Sequence, residues 1–334
     1  MRFLVFGIVI IGVMLALLPH ILYMLARLVG LVLHLRVGYR PFGLAALALV
    51  CLWGLLALWG NVFGRFRHEV KQVQLAFPTL PKSFDGLRIV HISDLHLDGW
   101  VGHERELQRR IDEVNALQPD IICFTGDLVS LGADELKPFV PILSGLHAKG
   151  GNGKGVYAVL GNHDYLPYNH SLNPRERTVA VAELVRMERE ELGWTVLLNE
   201  SEAIRRGGDS IAILGCENQS VGAHPVVQRG DLKKTVAGRT SMFSILLTHD
   251  PSQWRKEVLP ETDIPLTLSG HTHAMQLRVF GFTPSKWIYP ECDGLYTEGP
   301  QHLYVNIGLG GTLPWRIGAT PEITLLTLTS VEQK

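Results

Sequence analysis

The sequence predicts an α/β fold of layered, mixed sheets that is preceded by transmembrane helices. Three observations lead to this prediction. Two long apolar runs occupy most of residues 3–64. Behind them, short β-branched segments alternate with helical segments, as in layered α/β domains. Further along the chain strand patterns predominate, which indicates sheets of mixed direction.

The charge distribution divides the chain into two pieces. Residues 1–68 hold six arginines and no acidic residue, and the first carboxylate is Glu69. The rest of the chain holds 25 basic and 32 acidic residues, a net charge of −7. We therefore expect a membrane anchor in residues 1–67 and one globular domain in residues 68–334. Because nucleic-acid binders carry a basic face, no nucleic-acid partner is expected.

Both apolar runs have the length of a membrane span. They cover about residues 3–26 and 41–64, and a bilayer core of about 30 Å needs ~20 helical residues. Residues 28–35 could form an interfacial helix or part of a third span. A cleaved signal peptide is the alternative for the first run, but residues 15–19 offer no small-x-small cleavage site.

The arginines around these runs bear on orientation. With two spans, one side holds Arg2, Arg65, Arg67 and Lys71, and the other holds Arg27, Arg36 and Arg40. The positive-inside rule then favours a multi-pass protein with both ends in the cytoplasm. A third span would place the globular domain on the opposite side.

The globular part shows a clear order of segments. Strand patterns fall at residues 70–77, 87–93, 121–125, 156–160, 195–198, 211–214, 244–247, 266–268, 303–306 and 323–328. Helical patterns fall at residues 104–117, 135–147 and 175–192. We expect 195–198 and 211–214 to flank a polar turn, and the last two strands to form a pair.

Residues of the types that bind metals follow five of these strands directly. They are Asp94 and His96; Asp127; Asn162, His163 and Asp164; His249; and His271 and His273. Each group alone has an ordinary turn composition. Five groups in order, each after an apolar strand, instead predict one site at the carboxyl ends of the strands, where α/β sheets form their crevices.

The residue types indicate a two-metal centre that acts on a phosphate. Two divalent ions about 3.5–4 Å apart can clamp a phosphate and activate water, and a shared ligand must join them. Asp127 has the two carboxylate oxygens needed for that bridge. Nitrogen and oxygen ligands without sulfur suit Mn²⁺, Fe²⁺ or Zn²⁺. A histidine such as His163, between Asn162 and Asp164, is placed for general acid work.

The five groups together resemble the calcineurin-like metallophosphoesterase superfamily. The similarity rests on Asp94-x-His96, Gly126-Asp127, Gly161-Asn162-His163-Asp164, His249 and Gly270-His271-x-His273, and extends over about residues 87–328. Flanking residues such as 92–97 and 268–276 are similar to a membrane-associated bacterial branch. That branch is similar to the YkuE- and YaeI-type phosphodiesterases and to the chlamydial-type UDP-2,3-diacylglucosamine pyrophosphatases. Many branches continue the last motif with Gly-Gly-Gln, whereas this chain has Ala274-Met275-Gln276.

The resemblance implies a four-layer α/β-β/α sandwich, a location in the bacterial inner membrane and a division of the ligands. One ion would be held by Asp94, His96, Asp127 and His273, and the other by Asp127, Asn162, His249 and His271. His163 would protonate the leaving oxygen without binding metal, and Asp164 would orient its ring.

The sequence therefore predicts a membrane-anchored, metal-dependent phosphoric ester hydrolase with two divalent ions. Its partners would be the bilayer and a phosphodiester or pyrophosphate, in particular a lipid-linked one. Soluble nucleotides or phosphomonoesters are the alternative substrates. A catalytically inactive, metal-free scaffold of the same fold is a further alternative, but such a scaffold would lack ligands that this chain retains.

Overall fold

The computed structural model describes residues 2–149, 155–221, 227–239 and 241–331. They form two compact units. The membrane unit comprises the chain up to Phe66 together with residues 313–318, and the globular unit comprises residues 67–312 and the chain from Ala319 onward. The first boundary lies one residue from the position expected from charge. The inclusion of residues 313–318 in the membrane unit was not expected.

Two apolar helices build most of the membrane unit. They are α1 (Arg2–Val32) and α2 (Arg40–Trp59), the second extended by a π-helical turn (Gly60–Gly64). Each contains a stretch of 25 residues that is long and apolar enough to cross a membrane, and only 6% and 17% of their most apolar windows are buried. Such exposure distinguishes them from the core helices of a soluble protein. Residues 28–32 simply continue α1, so within the described chain two helices meet the criteria for a span.

Residues 313–318 pack against α2 inside the membrane unit. The Asn61 side-chain amide donates a hydrogen bond to the Pro314 carbonyl (2.6 Å), and the rings of Trp53 and Trp315 meet edge to face with centroids 5.7 Å apart. At Gly64 a Cβ atom would lie only 2.1 Å from the Arg316 carbonyl oxygen. Glycine therefore permits the close approach of this segment to the helix.

The globular unit contains twelve described strands in two six-stranded sheets. The strands are β1 (Glu69–Phe77), β2 (Leu87–Ile92), β3 (Ile121–Phe124), β4 (Val156–Ala158), β5 (Thr195–Val196), β6 (Glu200–Arg206), β7 (Asp209–Gly215), β8 (Ser244–Leu247), β9 (Leu266–Ser269), β10 (Gly294–Glu298), β11 (Gln301–Val305) and β12 (Glu322–Ser330). The first sheet has the order β1-β12-β2-β3-β4-β5 and the second β10-β11-β9-β8-β7-β6. In each sheet the central strands run parallel.

A shared apolar core lies between the two sheets. Along β7, Ile211 and Ile213 belong to this inner core, while Ala212 and Leu214 belong to a second cluster that includes Trp254. This alternation follows from the two-residue period of a strand. Helices that connect parallel strands cover the outer faces, which gives the four-layer α/β-β/α sandwich that the resemblance implied.

The helices of the globular unit are shorter than the sequence patterns suggested. They are α3 (Glu104–Ala116), α4 (Val140–Leu143), α5 (Pro174–Arg186), α6 (Leu232–Ala237) and α7 (Leu259–Glu261). The helix expected at 135–147 is instead a 3₁₀ segment (Ala133–Phe139) followed by α4, because Pro138 and Pro141 cannot donate the hydrogen bonds of one long helix. The helix expected at 175–192 ends at Arg186 and continues as a π turn (Met187–Glu191).

Two expectations about the strands were wrong. The polar turn is flanked by β6 and β7, which pair with each other, and not by the segment at residues 195–198. That segment contributes β5, which pairs with β4 in the first sheet. The last two strands do not pair with each other either, since β11 lies beside β9 in the second sheet and β12 lies between β1 and β2 in the first.

Candidate metal centre

The predicted ligands converge where the two sheets present the carboxyl ends of their parallel strands. The loops that follow β2, β3 and β4 come from one sheet, and the loops that follow β8 and β9 come from the other. Asp94, His96, Asp127, Asn162, His249 and His273 are buried, and His163 and His271 are half-buried. Among the described residues, three sets of donor atoms from this group lie within 4.8 Å of one another.

The first cluster consists of Asp94, His96 and His273. The Nε2 atom of His273 lies 3.3 Å from Asp94 Oδ1 and 3.2 Å from His96 Nε2. On the other side of its ring, Nδ1 of His96 lies 3.2 Å from the Ser130 hydroxyl, which donates to the Asp98 carboxylate. This chain of contacts orients the ring so that Nε2 faces the cluster.

The second cluster consists of Asp127, His249 and His271. His249 Nε2 lies 3.1 Å from Asp127 Oδ2 and 3.2 Å from His271 Nδ1. His249 Nδ1 donates to the Thr125 carbonyl at 2.7 Å. Because a carbonyl can only accept, Nδ1 carries the proton of the neutral ring and the Nε2 lone pair points into the cluster.

The Asp127 carboxylate lies between the two clusters. Its Oδ2 is 3.1 Å from His249 Nε2 in one and 3.6 Å from His96 Nε2 in the other. Its Oδ1 accepts a hydrogen bond from the His163 amide at 2.8 Å. One oxygen is thus fixed by the backbone, and the other faces histidine nitrogens of both clusters.

Two observations show that these residues fit metal ions. The side-chain oxygen of Asn162 is buried and has no hydrogen-bond partner, while its amide nitrogen donates to the Tyr168 hydroxyl at 3.2 Å. A buried acceptor without a donor is costly unless a cation occupies that position. In addition, two pairs of histidines each bring a ring nitrogen of one within 3.2 Å of a ring nitrogen of the other: His96 with His273, and His249 with His271. This separation suits two ligands of one ion.

The backbone at the ligands adopts an unusual conformation. Left-handed φ angles occur at Asp94 (54°), His96 (47°), Asp127 (57°), His271 (77°) and His273 (49°). Such angles are rare for non-glycine residues and accumulate at functional sites. Two glycines of the motifs allow the loops to meet: a Cβ at Gly161 would lie 2.2 Å from Asp127 Oδ1, and one at Gly270 would lie 2.4 Å from Asp94 Oδ2.

His163 and Asp164 are placed differently from what was expected. We expected Asp164 to orient the His163 ring, but His163 Nδ1 donates to the Ser130 carbonyl at 2.9 Å. The Asp164 carboxylate instead accepts four backbone N–H groups, from Asp127, Leu128, Val129 and Gly161, at 2.8–3.1 Å. Asp164 therefore joins the Asp127 loop to the Asn162 loop, and the Ser130 carbonyl orients the His163 ring.

The electrostatics of the cluster are dominated by buried negative charge. Burial and the charge of Asp127 raise the pKa of Asp94 to about 6, and the same two causes raise the pKa of Asp164 to about 7. Burial alone would lower the pKa of His249, but the charges of Asp127 and Asp94 outweigh burial and raise that pKa to about 10. The cluster therefore favours bound positive charge.

Three residues that support the site were missed in the sequence. Ser130 contacts both His96 and His163, Tyr168 lies against the His163 ring with centroids 4.5 Å apart, and the Tyr289 hydroxyl lies 2.8 Å from His271 Nε2. Ser130 lies three residues after Asp127, and Tyr168 lies four residues after Asp164. This closeness in sequence to the ligand groups could have marked both residues as part of the site. Tyr289 had no such signal because 15 residues separate it from His273.

The fold and the cluster define a metal-dependent phosphoesterase. The family model for calcineurin-like phosphoesterases matches residues 87–275, and the chain belongs to that family.

Among its relatives is the metallophosphoesterase YkuE of Bacillus subtilis, which is 34% identical over 75% of this chain and 82% of YkuE. A transmembrane protein with metallophosphoesterase domain from Danio rerio is 30% identical over 87% of this chain, and a metallophosphoesterase of Campylobacter jejuni is 33% identical over 78%. This chain spans 64% and 63% of the length of those two relatives. The expected similarity to the YkuE type is confirmed.

Proposed function

We propose that the protein is a membrane-anchored phosphoesterase that holds two divalent cations and hydrolyses a phosphodiester or pyrophosphate bond in a lipid-linked substrate. The observation that carries the proposal is the position of Asp127 Oδ2, which faces histidine nitrogens of both ligand clusters at 3.1 and 3.6 Å. A single carboxylate placed between two sets of ligands is the arrangement that a shared bridge requires.

The division of ligands follows from these contacts. Asp94, His96 and His273 would hold one cation, and Asn162, His249 and His271 the other, with Asp127 common to both. When bound, the cations supply Lewis acidity toward the phosphate and lower the pKa of water. The chain itself fixes the ligands, since Ser130 and Thr125 direct the rings of His96 and His249. The burial of the ligands keeps bulk water from competing with the substrate.

His163 is the proton carrier in this proposal. Its ring lies at the edge of the centre, half-buried and edge to face with His96 at 4.8 Å between centroids. Because Nδ1 donates to Ser130, Nε2 would hold or release the proton that the leaving oxygen takes up.

The membrane unit supports a substrate in or near the bilayer. Two helices of membrane-spanning length keep the protein at a lipid surface, where a lipid-linked phosphodiester or pyrophosphate is concentrated. Soluble nucleotides or phosphomonoesters remain the alternative class.

A metal-reconstituted activity screen tests the proposal. The full chain in detergent, loaded with Mn²⁺, Fe²⁺ or Zn²⁺, would be assayed on a lipid-linked pyrophosphate, a simple phosphodiester and a phosphomonoester. We expect turnover to be highest on the lipid-linked substrate and to be lost in His249→Ala. The control is His147→Ala, which removes an exposed histidine. Equal or higher turnover on the phosphomonoester would favour the alternative, and no turnover with any metal would contradict the proposal.

We further propose that the catalytic domain lies on the cytoplasmic side. Two spans return the chain to the side on which it starts, and Arg65, Arg67 and Lys71 then lie with Arg2 on that side. Labelling of a Lys82→Cys variant with a membrane-impermeant thiol reagent tests this in intact bacterial cells. We expect labelling only after lysis, and labelling of intact cells would place the domain outside.

A further inference from the structure

An exposed apolar hairpin, residues 275–287, follows the last ligand group, His271 and His273. Val279 and Phe282 exchange backbone hydrogen bonds at 2.9 and 3.0 Å, with Phe280 and Gly281 between them at φ angles of 50° and 80°. Two positive φ angles are the geometry of a tight two-residue turn, where asparagine and glycine are usual. Phenylalanine rarely adopts a positive φ angle, so turn formation alone does not explain its presence at the tip.

Large apolar side chains on this hairpin face solvent. Phe280 is fully exposed and Trp287 is 79% exposed. The other exposed apolar residues of the segment are Met275, Val279 and Phe282. The rings of Phe282 and Trp287 lie 5.3 Å apart, so the exposed residues form a patch and are not scattered singly.

Charged groups accompany the aromatic residues. Lys286 is exposed beside Trp287, and Arg278 forms an ion pair with Asp293, which lies beyond the hairpin. Exposed phenylalanine and tryptophan with a neighbouring lysine are the composition that settles at the headgroup level of a bilayer, where the rings enter the apolar layer and the cation meets lipid phosphates.

The hairpin is tied firmly to the metal centre. Within the hairpin the Thr283 hydroxyl donates to the carbonyl of Ala274 at 2.5 Å, and Ala274 directly follows the ligand His273. Just beyond the hairpin, Tyr289 contacts the ligand His271 at 2.8 Å. Gln276 at its base accepts a hydrogen bond from Thr312 at 3.4 Å.

We propose that residues 275–287, the apolar hairpin, insert into the headgroup layer of the bilayer that holds the protein's own helices. The occupant of this patch is lipid. A membrane-anchored chain always has a bilayer within reach, and the patch combines aromatic residues with a cation in the manner of an interfacial anchor. The inference rests on the membrane anchoring in the proposed function, and it adds that the metal centre is held at the lipid surface by a second contact.

Electron paramagnetic resonance of a spin label at the hairpin tip tests the proposal. The full chain would carry Cys51→Ser, because Cys51 is the exposed cysteine and Cys123, Cys216 and Cys292 are buried. One variant adds Phe280→Cys. Its matched control adds Val179→Cys, a 63% exposed apolar residue on α5. Both would be labelled with the same nitroxide in nanodiscs of phosphatidylcholine and phosphatidylglycerol. Collisions with oxygen, which concentrates in the bilayer, are compared with collisions with a water-soluble nickel complex.

We expect the ratio of oxygen to nickel collisions to be severalfold higher at residue 280 than at residue 179. Adding Phe282→Ser and Trp287→Ser should lower the ratio at residue 280 toward the control value. Equal ratios at the two positions would overturn the proposal. A high ratio that survives both serine substitutions would also overturn it, because the label alone would then account for insertion. The measurement involves no turnover, so its outcome is independent of which substrate the enzyme uses.

Discussion

Replacement of Asp164 by asparagine should destabilise the metal centre even though Asp164 faces no predicted ion. Each of its carboxylate oxygens accepts two backbone amides: Oδ1 those of Leu128 and Val129, and Oδ2 those of Asp127 and Gly161. Asparagine keeps one oxygen and places an NH₂ group against the other pair of amides. Two buried N–H groups would then lose their acceptor, and the loop that carries Asp127 would shift.

The size of the effect follows from those hydrogen bonds. A buried donor left without a partner costs about 1–3 kcal/mol, so two of them should lower the free energy of unfolding by about 2–6 kcal/mol. For a domain of this size the melting temperature should fall by at least about 4 °C. The matched control is Asp134→Asn, since the Asp134 side chain is 85% exposed, and it should leave stability unchanged.

Thermal unfolding in detergent and metal analysis together test this reasoning. Unfolding would be followed by tryptophan fluorescence with a chelator present, so that lost metal affinity does not contribute to the difference. Metal content would be measured separately after loading and dialysis, and we expect Asp164→Asn to retain less metal than His163→Asn. If Asp164→Asn matches the wild type in both measurements and loses only turnover, Asp164 acts through His163 after all and our assignment is wrong.

Three further predictions concern other parts of the chain. His163→Ala should keep its metals but lose about 10²–10⁴-fold in turnover, with a smaller loss on a nitrophenyl ester that needs little protonation; loss of metal would show that His163 is a ligand. Glu188 is buried with both oxygens unpartnered, and burial raises its pKa well above the ordinary value. Ionising Glu188 is therefore more costly in the folded chain than in the unfolded chain. The free energy of unfolding of the wild type should thus be unaffected below the pKa of Glu188 in the unfolded chain and should fall as pH rises toward its pKa in the folded chain. The melting temperature of Glu188→Gln in chelator should exceed that of the wild type by a margin that widens between about pH 5 and 8; a constant margin would contradict this. Deletion of residues 1–67 should leave a folded, metal-binding domain. Its solubility should improve with Trp315→Ser, because Trp315 is only 2% exposed in the whole chain and loses its contact with Trp53 in the truncated protein. If the truncated protein is equally soluble with and without this substitution, Trp315 does not limit its solubility.

The strands and the ligands were predictable because both leave local patterns. Short segments such as Ile121–Phe124 and Leu266–Ser269 are fully buried strands, and their ends place polar residues at one edge of a sheet. The strand β6 was missed because its sequence is mostly polar and only Ile204 is buried. Strand patterns alone also could not assign β11 and β12 to different sheets.

The role of Asp164 and the packing of residues 313–318 could not be read from local sequence. Asp164 binds amides 35–37 positions away in the Asp127 loop, and Asn61 binds Pro314 across 253 positions. Such contacts depend on loop conformations that a single sequence does not reveal. The His163-Asp164 adjacency suggested a pair, whereas the left-handed turn at Asp127 places three successive amides around the Asp164 carboxylate.

Magnetic coupling between two bound Mn²⁺ ions would test the central claim, a two-metal centre bridged by Asp127, most directly. The full chain would be loaded with Mn²⁺, its metal counted by elemental analysis, and its electron paramagnetic resonance spectrum recorded beside that of Asp127→Ala. We predict two ions per chain with the multiline spectrum of an exchange-coupled pair, and in the variant loss of the coupling together with loss of one or both ions. Two tightly bound ions in Asp127→Ala, or two uncoupled ions in the wild type, would contradict the bridge.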